Sequence, residues 1–157
     1  MVKVLFVCLG NICRSPATEG VFYHLIRKEQ LSDDIYCDSA GTSAYHVGQR
    51  ADARMREVAE KRGYKLLSLA RQVEPDDFEE FDYIIAMDRS NYDDLLELCP
   101  AAQFKNRIHQ FISFTSSKED GVPDPYYLEQ EGFSYVLDLI EEGCGNIMEK
   151  IKQQIRG

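Results

Sequence analysis

The chain has 157 residues and a formal net charge of −9, and hydrophobic residues make up 44% of it. The length suits one domain, residues 1–157, and the acidic balance argues against nucleic acid or an anionic membrane as a partner. The five scattered cysteines do not form a disulfide pattern, and no apolar run reaches the roughly 18 residues of a membrane span. We therefore expect a cytoplasmic protein. We also expect a monomer or a weak dimer, although composition and charge do not determine the oligomeric state.

Apolar patterning predicts strands that alternate with helices along the chain. In order, these are a strand at 3–8, a helix at 15–28, a strand at 35–39, a helix at 52–62, a strand at 82–87, a helix at 90–98, a weak strand at 105–111 and a helix at 133–155. Ser15 is the predicted N-cap of the first helix, Gly63 is expected to end the second, and Gly143 and Gly145 are expected to weaken the last by about 1 kcal/mol each. The alternation predicts an α/β fold whose parallel sheet is covered by helices on both faces.

The segment VCLGNICRSP, residues 7–16, joins the first predicted strand to the first predicted helix. Such a junction presents unpaired backbone N–H groups and the positive end of a helix dipole, which favour a small anion. Gly10 lets the backbone curl, and Arg14 adds a planar guanidinium that can hold two phosphate oxygens. Together these features predict a cradle for a phosphate or sulfate-like anion.

Cys8 lies at the base of this predicted cradle. The field that attracts phosphate also stabilises a thiolate, and cysteines in such positions have pKa values of about 3.5–7.5. We therefore expect Cys8 to be a nucleophile that needs no adjacent histidine. A cysteine beside an apolar strand is more often a core residue, but the combination of thiol, glycine, guanidinium and hydroxyl favours chemistry. Cys13 has two interpretations, a packed thiol or a redox partner of Cys8.

A general acid is predicted in the segment VPDPYY, residues 122–127. The prolines on either side of Asp124 restrict the backbone and so fix the direction of its carboxyl group. The alternative is a plain surface turn, which Asp-Pro often marks. The adjacent Tyr126 and Tyr127 favour a site, because two tyrosines in a turn can form the wall of an aromatic slot.

The segment CLGNICRS, residues 8–15, resembles the phosphate-binding loop of the low-molecular-weight protein tyrosine phosphatases. The resemblance covers nearly the whole chain and includes DSAGT (38–42), ARQ (70–72), DYIIAMDRSN (82–91) and DPYY (124–127). It implies a four-stranded parallel sheet in a flavodoxin-like three-layer sandwich. It also implies hydrolysis of phosphotyrosine in proteins, and of small aryl phosphates, through a phosphocysteine.

The resemblance assigns a role to each matching residue. Cys8 is the implied nucleophile, Arg14 and the loop amides hold the phosphoryl oxygens, and Asp124 is the implied general acid and then base. The other residues implied to bind the substrate are Leu9, Gly10, Asn11, Ile12, Cys13, Ser15, Tyr45, Tyr126 and Tyr127, and those implied to support the loop are Ser39 and Asp88. Among these, Asn11 is expected to act through Ser39, and Ser15 to donate a hydrogen bond to the Cys8 sulfur. No metal or cofactor is implied, and the implied partners are tyrosine-phosphorylated proteins.

Two departures from the family pattern and one redox hypothesis follow from the same comparison. Ser68 stands where many relatives have a histidine that supports the loop, so we expect a weaker network. The segment 49–54 lacks the prolines common there, so we expect a substrate-side loop that is more mobile or differently shaped. A loop curled around one phosphate should bring the Cα atoms of Cys8 and Cys13 to within about 4.4–6.8 Å, which permits a protective disulfide.

Three alternative functions share parts of this pattern. An arsenate reductase on the same fold needs further cysteines to pass on a disulfide, and only Cys99 lies in the central region. Protein-arginine phosphatases of the family favour threonine at the position of Ile12 and lack the tyrosine pair. A phosphate-binding module without turnover would have lost the nucleophile or the acid, whereas this chain has both.

Overall fold

The computed structural model of the chain describes residues 1–125 and 129–157. Its elements are β1 (Val2–Cys8), α1 (Arg14–Lys28), β2 (Ile35–Gly41), α2 (Ala53–Lys61), α3 (Asp77–Glu80), β3 (Tyr83–Ala86), α4 (Arg89–Leu98), β4 (Ile108–Gln110) and α5 (Gln130–Arg156). The predicted alternation is confirmed, but β4 is shorter than predicted because 3₁₀ turns at Ala102–Arg107 and Phe111–Phe114 take up its flanks. The short helix α3 was not predicted from the sequence. Among the described residues, no helix is both long and apolar enough to cross a membrane.

The strands form one parallel sheet in the order β2-β1-β3-β4. Alternate residues of β1 enter separate cores, because successive side chains of a strand point to opposite faces. Val4 and Phe6 pack in the core that includes α1, α2 and α5, whereas Leu5 and Val7 pack in the core that includes α3 and α4. Helices therefore cover both faces, and the predicted three-layer α/β sandwich is confirmed.

The strand order positions the loop that follows β1. β1 pairs with β2 on one side and with β3 on the other. The chain therefore adds β2 on one side of β1 and then crosses over to add β3 on the opposite side. Parallel sheets bind ligands in the crevice at the carboxyl ends of the strands beside such a crossover. Cys8, the last residue of β1, lies at this crevice.

The start of α1 differs from the prediction, since Ser15 is not its N-cap. The helix begins at Arg14, and Cys13 occupies the cap position without a side-chain cap. Ser15 therefore lies inside the first turn, and its hydroxyl faces the loop before the helix, 3.0 Å from the Cys8 sulfur. The predicted end of α2 is confirmed, because Gly63 follows the helix with a φ of +90°, a conformation that favours glycine.

Gly143 in α5 leaves space for a neighbouring side chain, a role that helix propensity alone does not predict. A Cβ atom at this position would lie 2.3 Å from Cζ of Phe111, whereas one at Gly145 would meet no atom within 4 Å. The ring of Phe111, which is fully buried, thus occupies the space that a side chain at Gly143 would need. The two glycines of α5 therefore differ in what their replacement would do.

We predict opposite effects for alanine at these two positions. Gly145→Ala should raise the free energy of unfolding by about 0.5–1 kcal/mol, because alanine costs less backbone entropy in a helix. Gly143→Ala should lower it by about 1–3 kcal/mol, because Phe111 must move. Urea denaturation of both variants measures the difference, and stabilisation by both would show that Phe111 does not constrain the helix.

Candidate active site

The loop between β1 and α1 curls around the sulfur of Cys8. The backbone N–H of Asn11 donates a hydrogen bond to this sulfur at 3.2 Å, and the Ser15 hydroxyl oxygen lies 3.0 Å from it. Cys8 is 3% exposed. Two hydrogen-bonding groups therefore converge on a sulfur at the base of the loop.

Asn11 connects the loop to three other parts of the fold. Its side-chain NH₂ donates to the hydroxyls of Ser15 at 2.8 Å and Ser39 at 3.0 Å, and its carbonyl accepts the backbone N–H of Arg71 at 3.0 Å. Its backbone is left-handed, with a φ of +56°, which asparagine tolerates better than most residues. The loop shape therefore rests on one buried amide that is tied to α1, β2 and the segment around Arg71.

Residues at and just after the end of β2 hold the loop through backbone hydrogen bonds. The backbone N–H groups of Thr42 and Ser43 donate to the carbonyls of Cys8 and Leu9, at 3.0 and 2.9 Å. This approach requires glycine at position 41, because a Cβ atom on Gly41 would lie 2.8 Å from the Leu9 carbonyl oxygen. The DSAGT segment thus provides both hydrogen bonds and the space that the loop needs.

Arg14 is held in place by hydrogen bonds to residues that follow β3 and precede α5. It is 3% exposed, and its Nη1 donates to the Asp88 carboxylate at 2.5 Å and to the Val122 carbonyl at 3.1 Å. Burial alone would lower the pKa of the guanidinium, but the negative charges of Cys8 and of two neighbouring carboxylates raise it above its usual value. Arg14 is therefore a fixed positive charge next to the Cys8 sulfur.

Asp124 approaches Arg14 from the segment before α5. Its carboxylate lies 3.6 Å from Nη2 of Arg14, and its side chain is 38% exposed. The buried Val122 fixes this segment, since its N–H donates to the Met87 carbonyl at the end of β3. Asp124 is therefore open to solvent on one side and beside the guanidinium on the other. Tyr126 and Tyr127, the predicted wall of an aromatic slot, lie outside the described residues.

These groups share one cavity of about 460 Å³. Its lining residues are Cys8, Leu9, Gly10, Ile12, Cys13, Arg14, Ser43, Tyr45, His46 and Asp124. Tyr45 is 83% exposed at the mouth, and its ring meets that of His46 edge to face at 4.8 Å. His46 and Ser43 were not predicted, although both lie beside residues that were. A Cβ atom on Gly10 would come 2.9 Å from the His46 ring, so this glycine makes room for the imidazole.

Cys13 lines the same cavity as a buried free thiol. Burial raises its pKa, and the carboxylates of Asp52 and Asp124 raise it further, so the thiol is protonated at neutral pH. Cys13 therefore differs in environment from Cys8, toward which two hydrogen-bonding groups are directed. Its redox role stays a prediction.

Ser68 takes part in a hydrogen-bonded chain that leads to the loop. The Ser39 hydroxyl, which contacts Asn11, donates to the Glu19 carboxylate at 2.5 Å, and the Ser68 side chain also hydrogen bonds to Glu19. Burial raises the pKa of Glu19, and these hydrogen bonds oppose the shift. Serine at position 68 is thus linked to the hydrogen bonds that support the loop.

The substrate-side segment that lacks prolines is held by backbone hydrogen bonds. Gly48 donates to the Ala70 carbonyl and Ala70 to that of Gln49, each at 2.8 Å, and Asp52 donates to the Ile12 carbonyl at 2.6 Å. Asp52 also caps α2 through its side chain. The segment is therefore joined both to the residues around Ala70 and to the loop between β1 and α1.

Comparisons with known proteins identify the family of the chain. The family described as low molecular weight phosphotyrosine protein phosphatase matches residues 3–156. A Synechocystis protein of that family is 48% identical over 155 residues, which cover 98% of this chain and 99% of its own. A crystal structure of a protein tyrosine phosphatase from Entamoeba histolytica, with Hepes in its active site, is 48% identical with a TM-score of 0.94 and covers 98% of this chain and 99% of that one. The chain belongs to the low-molecular-weight protein tyrosine phosphatase family.

A third similarity concerns a different substrate. The structure of a Drosophila arginine phosphatase is 35% identical, with a TM-score of 0.90, and covers 96% of this chain and 98% of that one. Close similarity of fold therefore extends to a protein named for another phosphorylated side chain.

We predict that Glu19→Gln changes how stability depends on pH. Because folding raises the pKa of Glu19 above its unfolded value of about 4.3, its contribution to stability is complete below that pH and is lost as pH rises through the folded pKa. Glutamine keeps an acceptor for Ser39 but does not ionise. The free energy of unfolding of the variant, relative to wild type, should therefore increase between pH 4 and pH 7.

The matched control is Glu60→Gln, which removes an exposed carboxylate on α2. Urea denaturation at both pH values gives the comparison. A gain no larger than that of the control would show that burial does not perturb Glu19.

Proposed function

We propose that the chain hydrolyses phosphotyrosine in proteins, and small aryl phosphates, through a phosphocysteine formed on Cys8. The observation that carries the proposal is that one cavity contains the Cys8 sulfur, the Arg14 guanidinium and the Asp124 carboxyl group. These are a nucleophile, a positive charge and a proton donor, the three groups that phosphoryl transfer to sulfur needs. The substrates would be tyrosine-phosphorylated proteins of the cytoplasm.

In the first step the Cys8 thiolate attacks phosphorus and the bond from phosphorus to the phenolic oxygen breaks. Arg14 and the loop amides hold the three remaining phosphoryl oxygens as negative charge spreads over them. The protonated carboxyl of Asp124 transfers its proton to the leaving oxygen, so the product is a neutral phenol rather than a phenoxide. Asp88 acts through Arg14, whose guanidinium it orients.

In the second step water attacks the phosphocysteine. Asp124, now a carboxylate, takes a proton from the water molecule while the water oxygen forms a bond to phosphorus. The bond from phosphorus to sulfur breaks, and the Cys8 sulfur leaves with its electron pair as a thiolate. The Ser15 hydroxyl, 3.0 Å from that sulfur, donates a hydrogen bond that stabilises the departing thiolate. Inorganic phosphate leaves, and both groups return to their starting protonation states.

The depth and walls of the cavity support an aromatic substrate. The Cys8 sulfur is nearly inaccessible from the surface, so a phosphate must extend well beyond its peptide backbone to reach it, as the ring of phosphotyrosine allows. Ile12 supplies an apolar wall that suits a ring better than a guanidinium, and Tyr45 lies at the mouth. We assign Tyr126 and Tyr127 to the same ring-binding role on the family resemblance.

Arsenate reduction receives no support from the position of Cys99. This thiol follows α4, where it donates to the Ala101 carbonyl at 3.3 Å, and it does not line the catalytic cavity. It is therefore not arranged to accept a disulfide from the loop cysteines.

Cys8→Ser tests the nucleophile. We expect turnover of p-nitrophenyl phosphate to be abolished while binding of inorganic phosphate or vanadate persists, because the amides and Arg14 form the cradle and the thiolate only attacks. Steady-state kinetics and calorimetry measure the two properties. Cys99→Ser is the control and should retain activity, and substantial turnover by the Cys8 variant would refute the proposal.

Asp124→Asn tests the general acid. We expect a loss of about 10²–10⁴-fold in kcat for phenyl phosphate, the usual contribution of a positioned acid. The loss should shrink as the leaving phenol becomes more acidic, since such phenols depart without a proton. Asp120→Asn in the same segment is the control. A loss that is equal across leaving groups of very different acidity would assign Asp124 another role.

We also infer that Cys13 protects Cys8 from irreversible oxidation. Peroxide oxidises the Cys8 thiolate to a sulfenic acid, and the Cys13 thiol displaces water from it to form a disulfide. Wild type should therefore regain most of its activity when a thiol reductant follows peroxide, and Cys13→Ser should regain much less. Equal recovery, or the absence of a Cys8–Cys13 crosslink by mass spectrometry, would leave Cys13 as a packing residue.

A further inference from the structure

A second groove adjoins the catalytic cavity. It has a volume of about 360 Å³ and is lined by Leu9, Thr42, Ser43, Asp94, Glu97 and Leu98. Leu9 and Ser43 also line the catalytic cavity, so the two hollows share a boundary. A substrate that inserts one side chain into the cavity therefore brings its neighbouring residues close to this groove.

The groove has an apolar part formed by two leucines. Leu9 is 52% exposed in the catalytic loop, and Leu98 is 50% exposed at the end of α4. Single exposed leucines are common on protein surfaces. These two line the same hollow, so they provide apolar contact for whatever enters it.

The groove also has an acidic part on α4. Asp94 and Glu97 are three residues apart in the helix and therefore lie on the same side of it. Neither forms a salt bridge or side-chain hydrogen bond with another residue in the described chain, whereas the adjacent Asp93 pairs with Arg89 at 3.0 Å. The two carboxylates that line the groove thus lack a cationic partner within it.

We propose that this groove binds a lysine or arginine side chain that neighbours the phosphotyrosine in a protein substrate. Such a side chain has an apolar stem that can pack on Leu9 and Leu98 and a cationic head that can pair with the carboxylates. The groove is thus a specificity subsite that selects basic sequence next to the residue in the cavity. The inference rests on the proposed phosphotyrosine phosphatase activity.

The experiment uses phosphotyrosine peptides that carry lysine, norleucine or glutamate at each flanking position in turn. At one or more positions, kcat/KM should favour lysine over glutamate by about five-fold at low ionic strength, which is the size expected of exposed charge pairs. Norleucine, which keeps only the stem, should be intermediate. The preference should weaken in 0.5 M salt, because screening reduces interactions between exposed charges.

Variants then assign the preference to the groove. The pair Asp94→Asn and Glu97→Gln should remove it, and Glu97→Lys should shift it toward glutamate, with each rate normalised to p-nitrophenyl phosphate hydrolysis. The control, Asp93→Asn, removes a charge from the same helix outside the groove and should preserve it. Equal rates for all flanking residues, or an equal effect of the control, would overturn the subsite while leaving the phosphatase activity standing. Failure to hydrolyse any of the phosphopeptides would overturn both proposals.

Discussion

The site depends on the hydrogen bonds of a single buried amide. The side chain of Asn11 holds the loop against α1 through Ser15, against β2 through Ser39 and against the segment of Arg71. These bonds offset the cost of a left-handed backbone at a residue other than glycine, and the backbone N–H of the same residue donates to the Cys8 sulfur. Loss of the amide would remove all three of these side-chain hydrogen bonds together.

The parallel sheet positions the residues that surround the Asn11 side chain. β1 ends at Cys8 between two neighbouring strands, and each neighbour continues into a segment that completes the site. At the end of β2, Gly41 permits close backbone contact with the loop, and after β3, Asp88 accepts a hydrogen bond from the Arg14 guanidinium. Asp88 also caps α4, so the carboxylate that orients Arg14 is itself fixed by the backbone N–H of Asn91. The ends of β1, β2 and β3 thus position Cys8, the loop that follows it and the Arg14 guanidinium.

Much of this arrangement was predictable because it depends on local sequence. Periodicity predicted the alternating elements, and the chemistry of the segment from Cys8 to Ser15 predicted an anion site at a strand end. The cap at Ser15 was wrong because the helix begins at Arg14, which places the cap position two residues earlier, at Cys13, and residue spacing cannot show which way a hydroxyl turns. The role of Gly143 was missed because it depends on Phe111, 32 residues away. The link from Glu19 to Asn11 also joins residues that are brought together only by folding.

The anchoring of Arg14 has a thermodynamic consequence. A free arginine side chain carries about 2 kcal/mol of rotamer entropy, which a flexible binding residue would lose at every encounter with its ligand. In this chain Asp88 and the Val122 carbonyl already restrict the guanidinium before any anion arrives. That loss is therefore incurred once, when the chain folds, and in the reaction we propose more of the attraction between phosphate and guanidinium would remain available for affinity and for stabilisation of the transition state.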